Sequence, residues 1–162
     1  GPVFFRQRRV GRNFRLFSMY KFRTMVVNAP TLGGQLTVTG DPRVTRSGYW
    51  LRKLKIDELP QLINVVIGDM SLVGPRPEVS RYVDQMHDAY REVLSVRPGI
   101  TDLASVKYRD ESEILAKAED PESAYINQIL PDKIAISRQY IREASLWLDL
   151  KIILRTLLRI VR

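Results

Sequence analysis

Residues 54–77, LKIDELPQLINVVIGDMSLVGPRP, leave the backbone little choice. Proline has no amide hydrogen and is tolerated only in the first turn of a helix, where that hydrogen has no partner anyway. Pro60 therefore predicts a helix that starts at Glu58, runs to Ile67 and takes Asp57 as its cap. Gly68 ends the run, and DMSLVG reads as a short strand. Pro75 and Pro77 then fix the backbone on both sides of Arg76, so a rigid turn presents one guanidinium with little freedom.

Two accounts of Asp57 and Glu58 are open at this level. In the first they cap a helix and interact favourably with its dipole. In the second they serve chemistry, since a carboxylate can attack phosphorus to give an acyl phosphate. Mg²⁺ also takes one or two carboxylates and completes its shell with water and substrate phosphate. Arg76 suits the second account because a guanidinium grips phosphate as a two-pronged fork. In YKFRTM, Lys21 and Arg23 alternate with Phe22, which places two cations on one strand face, suited to a diphosphate.

The remaining pattern predicts a small α/β domain over residues 1–162. An N-terminal β-hairpin, about 3–8 and 14–22, turns at Gly11-Arg12-Asn13. NAPTLGGQLTVTGDPR reads as a loop, and Ser47 as the cap of a helix over 48–54. EVSRYVDQMHDAYREVL reads as one amphipathic helix, and RPGITDLASVKY as a turn followed by a strand. From Asp110 onward the pattern is helical, interrupted at Pro121 and Pro131. Short helices thus surround the candidate site, with amphipathic helices at the C-terminal end. The chain begins Gly-Pro with no methionine, which reads as a piece of something longer.

Charge is unevenly spread within a net +8: residues 1–55 hold twelve bases and one acid, Asp41. A basic face suits nucleic acid, anionic lipid or a phosphorylated substrate. The last segment, SLWLDLKIILRTLLRIVR, sets Lys151, Arg155, Arg159 and Arg162 at helical spacing, with Trp147 and many leucines and isoleucines on the rest of the surface. That composition fits a helix lying in a membrane interface, and equally one packed on a core. No stretch has the roughly 18 apolar residues of a spanning helix, and GPVFFRQRRVG lacks the apolar segment of a signal peptide. Cysteine is absent and His87 is the only histidine, so thiolate metal sites and Ser-His-Asp chemistry have no material. No GxGxxG or GxxxxGK[ST] phosphate loop occurs.

GPVFFRQRRVG, YKFRTM, LRKLKIDELPQLINVVIGDMSLVGPRP and VRPGIT, in that order, resemble the bacterial sugar transferases, the monotopic polyprenyl-phosphate phosphoglycosyl transferases. The resemblance implies an α/β catalytic core on the cytoplasmic face of the bacterial plasma membrane, there preceded by a re-entrant membrane helix. It implies transfer of sugar-1-phosphate from a UDP-sugar donor to a polyprenyl (undecaprenyl) phosphate acceptor, with release of UMP and a requirement for Mg²⁺. The reaction begins exopolysaccharide, O-antigen or glycoconjugate assembly. Asp57 matches the family's nucleophile, which forms a covalent phosphosugar intermediate, and Glu58 its partner acid; both are candidate metal ligands. Arg76, with Lys21 and Arg23 beside it, is the expected phosphate contact. Where family members often read Gly-Ile-Thr-Gly, this chain has Gly99-Ile100-Thr101-Asp102, a departure that bears on which sugar is used.

The competing expectation is a basic module that binds single-stranded nucleic acid through residues 6–15 and their aromatic neighbours. It gives the acid pair and the Gly-Pro-Arg-Pro turn no task. A non-catalytic scaffold is the third reading, and the intact acid pair argues against it. The favoured enzyme reading involves no nucleic acid.

Overall fold

The computed structural model describes residues 1–34 and 36–161, with side chains up to Leu158 in the last helix. Strands β1 (Phe4–Val10) and β2 (Leu16–Phe22) form the antiparallel hairpin, in register from Phe4 opposite Phe22 to Val10 opposite Leu16. The turn falls where predicted, but Phe14 belongs to it rather than to β2. Asn13 and Phe14 both take positive φ, 54° and 60°, and Phe14 stacks on His87. A short helix α1 (Ala29–Leu32) lies in the stretch read as a loop.

Helix α2 (Arg46–Lys53) starts earlier than predicted. Its cap is the Thr45 hydroxyl, which accepts from the Gly48 amide at 3.0 Å, and not Ser47. Lys55 then takes a left-handed conformation, φ 55°, unusual for a side chain with a Cβ. The chain swings into a separate 3₁₀ turn, Ile56–Glu58, before α3 (Gln61–Ile67) begins behind Pro60. Asp57 therefore does not cap α3, whose start has no side-chain cap at all. A proline already supplies helical φ and has no amide to satisfy, so the helix can begin without one.

Strand β3 (Ser71–Val73) is followed by two helices, α4 (Ser80–Gln85) and α5 (His87–Val93), where the sequence predicted one. Met86, at φ −127° and ψ 37°, breaks the pattern. Strand β4 (Gly99–Thr101) pairs parallel with β3 and sits earlier than the strand expected after the turn. The residues behind it form α6 (Leu103–Lys107), capped by Asp102, which accepts from Ser105 N–H at 2.7 Å. Next come α7 (Glu111–Ala116) and α8 (Pro121–Ala124). A π-turn (Tyr125–Ile129) leads into α9 (Leu130–Glu143), so Pro131 enters a continuing helix. The wider turn ahead of it accommodates a residue that cannot donate in an α-helical ladder. The chain is thus mixed α/β, as expected.

The main core packs Tyr82, Val83, Leu115, Leu130 and Ile134 from α4, α7 and α9. The last helix, α10 (Leu146–Val161), has two faces. Ile152, 0% exposed, packs with Val73 and Tyr140, and Thr101 and Thr156 share a hydrogen bond at 2.6 Å. Trp147, Leu150, Leu154, Leu157 and Leu158 stand exposed, and Lys151 and Arg155 border them rather than opposing them. The helix is therefore packed on the core along one face and leaves the other apolar and exposed. Arg159's side chain and all of Arg162 lie outside what is described. Among the described residues no helix is long and apolar enough to cross a membrane.

Candidate active site

The acid pair sits where the hairpin, the 3₁₀ turn and the Gly-Pro-Arg-Pro turn converge. Asn64 is responsible for much of that convergence. It is fully buried on α3, accepts from Tyr20 N–H at 3.0 Å and donates to the Ser18 carbonyl at 2.8 Å, fastening the helix to β2. The Arg76 turn is held by a close backbone approach. A Cβ on Gly99 would meet the Gly74 nitrogen at 2.1 Å, and one on Gly74 would meet the Arg97 carbonyl at 2.6 Å, so neither position has room for a side chain. The Arg76 amide also donates to Asp102 at 3.3 Å.

Glu58 joins three segments. Its Oε1 accepts from Lys21 Nζ at 3.0 Å and from Arg76 Nη2, while its Oε2 accepts from Arg76 Nη1 at 3.1 Å. Burial alone would raise the Glu58 carboxyl, but Arg76 and Lys21 outweigh it and hold the group well below the usual carboxylate range. The Lys21 ammonium is pushed down by burial, with Glu58 pulling the other way. The Arg76 guanidinium is held higher by Glu58.

Asp57 is the contrast. It is 7% exposed, and its Oδ1 has no hydrogen-bond partner. Burial, reinforced by the neighbouring Glu58 charge, pushes its carboxyl upward, against the pull of Lys21, Arg52 and Lys55. A carboxylate oxygen stripped of water and hydrogen bonds, as Oδ1 is, has its lone pairs free, which is the condition of a reactive oxygen nucleophile.

Four of the five residues predicted around the site are brought together: Lys21, Asp57, Glu58 and Arg76. The fifth, Arg23, lies one residue past the end of β2, where strand alternation no longer fixes its direction. Its guanidinium donates to the carbonyls of Pro2 at 2.8 Å and Phe4 at 3.3 Å. Three residues not singled out from the sequence stand here as well. Arg52, anchored on the Thr24 hydroxyl at 2.9 Å, adds a cation that acts on Asp57. Gln61 is 1% exposed with both amide atoms unpartnered. Glu78, just behind the turn, accepts from Arg9 Nη1 and Val79 N–H at 2.8 Å each and from the Tyr125 hydroxyl at 2.5 Å. Gln61 could have been suspected from its place four residues after Asp57; Arg9 and Glu78 pair across 69 residues and leave no local trace.

Helix α3 presents Leu62, Ile63, Val66 and Ile67 to the exterior, with Val66 89% exposed, and Leu59 beside them. The site therefore lies next to an apolar surface.

The profile of the family described as bacterial sugar transferase matches residues 1–162. The UDP-N-acetylgalactosamine-undecaprenyl-phosphate N-acetylgalactosaminephosphotransferase of Aeromonas hydrophila is 44% identical over 162 residues, covering 97% of this chain and 35% of that protein. The undecaprenyl-phosphate glucose phosphotransferase of Komagataeibacter xylinus is 42% identical, covering 98% of this chain and 29% of its own. A UDP-glucose:undecaprenyl-phosphate glucose-1-phosphate transferase of Caulobacter vibrioides is 41% identical, covering 96% of this chain and 55% of its own length. The chain thus spans only part of each relative.

Proposed function

The chain belongs to the bacterial sugar transferase family, and from that premise we propose that it carries the catalytic core of a phosphosugar transferase. The donor is a UDP-sugar, the acceptor is undecaprenyl phosphate, and UMP is released. The observation that carries this reading is the unequal acid pair, with Asp57 buried and unpartnered beside a Glu58 saturated by Arg76 and Lys21.

In the first half-reaction an Asp57 oxygen attacks the phosphorus that bears the sugar. The bond to the bridging oxygen breaks, and UMP leaves with the electron pair. In the second half-reaction an oxygen of the lipid phosphate attacks the same phosphorus, and the Asp57 carboxylate departs. Arg76, Lys21 and Arg52 lower the repulsion between an anionic nucleophile and an anionic diphosphate. Arg76 would exchange part of its grip on Glu58 for the phosphate.

The unpartnered Asp57 Oδ1 fits Mg²⁺. Among the described residues no cluster of three or more acids or histidines could hold a metal by itself. Mg²⁺ would take Asp57, Glu58 as its hold on Arg76 loosens, and phosphate oxygens of the donor. When bound, it would withdraw charge from the diphosphate. The test is UMP release by the full-length protein with UDP-sugars and undecaprenyl phosphate. Release that stops with EDTA and returns with Mg²⁺ is expected; no release from any donor would sink the proposal.

The exposed leucines of α10, bordered by Lys151 and Arg155, and the apolar face of α3 support placement on an anionic membrane surface. For the enzyme this means the cytoplasmic leaflet, as the first membrane step of polysaccharide or glycoconjugate assembly. Each basic residue near such a surface contributes about 1 kcal/mol. Changing Lys151, Arg155, Arg159 and Arg162 to glutamate should therefore weaken co-sedimentation with anionic vesicles and leave the core folded. Binding indifferent to both lipid charge and these substitutions would remove α10 from the interface.

A further inference from the structure

Beside Arg76, lined by neither acid of the pair, the structure contains a chamber of about 230 Å³. Arg76 and Pro77 form one wall, α6 and α9 contribute Ser105, Lys133 and Ser137, and its floor is the buried Tyr125, Leu130 and Ile134. We propose that this chamber is the subsite for the sugar ring of the donor. The assignment rests on the phosphosugar-transferase reading above.

Size is the first argument. Pockets for drug-sized ligands run to about 300–1,000 Å³, so this chamber suits one sugar ring rather than a nucleoside diphosphate. Polar lining is the second. Ser137 is only 7% exposed and lines the chamber. A hydroxyl in a chamber wall can both donate to and accept from a ligand group. Around it stand Lys133, paired with Glu111 and lying over the Tyr125 ring at 5.0 Å, and Asp102, whose carboxylate caps α6 and receives the Arg76 amide. Such a mixture of donors and acceptors matches a polyol, each hydroxyl of which both donates and accepts.

Position is the third argument. Arg76 touches both places, with its guanidinium on Glu58 and its backbone amide on Asp102. A phosphate held at Arg76 carries its sugar one oxygen away, within reach of the chamber. UMP departs in the first half-reaction, whereas the sugar stays esterified until the acceptor arrives. A recess floored by buried side chains suits the part that stays.

The test measures kcat/KM for UMP release by the full-length protein with UDP-glucose, UDP-galactose, UDP-N-acetylglucosamine and UDP-N-acetylgalactosamine, together with the inhibition constant of UMP. In Ser137→Ala and Ser137→Val the preference among the four donors should shift by about tenfold, with UMP inhibition essentially unchanged. An equal loss for all four donors, an equal shift in UMP inhibition, or no change in either variant would overturn the assignment. Wild-type protein that releases no UMP would sink the transferase reading instead. Binding of free sugar 1-phosphates then decides the chamber: loss confined to one sugar in the Ser137 variants supports it, and a uniform or absent effect overturns it.

Discussion

Two partly buried glutamates flank the Arg76 turn, and their surroundings have much in common. Glu58 and Glu78 have side chains 16% and 14% exposed, and each binds a cation from the hairpin, Lys21 on β2 and Arg9 on β1. Glu78 finds its remaining partners in the framework, at Val79 N–H and the Tyr125 hydroxyl. Glu58 instead holds Arg76, beside the unpartnered oxygen of Asp57. At Glu78 both carboxylate oxygens are taken up by the framework and brace the turn, although Arg9 keeps an unpartnered Nε and this corner borders the chamber. The other holds groups that a phosphate can claim. Shielded charge does not by itself mark a site; the mark is an adjacent carboxylate oxygen with nothing to bind.

That distinction breaks most sharply at Asp57. Asp57→Asn keeps the shape and removes the anion proposed to attack, so UMP release should fall by on the order of 10⁴-fold or more. Intact-protein mass spectrometry should show a phosphosugar adduct on wild type after donor alone, and none on the variant. Wild-type rates from the variant would end the contrast between the two corners.

Arg76→Lys comes next. It retains charge but loses the fork, and turnover should drop by about 10²–10³-fold in the same assay. A loss no larger than that of a surface arginine would place Arg76 in the framework with Glu78.

Glu78→Gln probes the framework corner, and its main effect should be on folding. Arg9 would be left buried without its counter-charge, at a cost of about 2 kcal/mol, read as a lower urea midpoint with an unchanged slope. Tyr125→Phe removes one bond to the same carboxylate and should cost about 1 kcal/mol. If Glu78→Gln abolished turnover in fully folded protein, the framework role would be wrong.

The smallest effect is in the pH dependence of stability, where the neighbours Asp57 and Glu58 should differ in sign. The folded Asp57 holds its proton above the ordinary aspartate range. It therefore makes stability fall as pH rises from that range through the raised value, and Asp57→Asn should remove this decline. The folded Glu58 releases its proton more readily than the unfolded chain. Its contribution is present above the ordinary glutamate range and is lost as pH falls through the lowered value, a loss Glu58→Gln should abolish. Urea titrations across acid pH would show opposite changes in the two variants.

Much of this was legible in the sequence because it is local. The hairpin, the short strand after Gly68 and the rigid presentation of Arg76 follow from proline, glycine and alternation within a few residues. What escaped depended on distance or on a single backbone angle. Lys55 at positive φ detaches the acid pair from α3, and no composition rule foretells it. The end of β2 at Phe22 sends Arg23 to the Pro2 and Phe4 carbonyls. Glu78 reads as an ordinary acid until Arg9 and Tyr125 are brought to it from 69 and 47 residues away.

The dryness of Asp57 has a consequence in time. On the proposed cycle the enzyme, once loaded, must wait for a lipid that reaches it by diffusion in the plane of a membrane. An acyl phosphate open to bulk water would hydrolyse during that wait and waste an activated sugar. Keeping water from the carboxylate lengthens the life of the loaded state, so the same burial that leaves Asp57 reactive also sets how scarce the acceptor can become before the cycle turns futile.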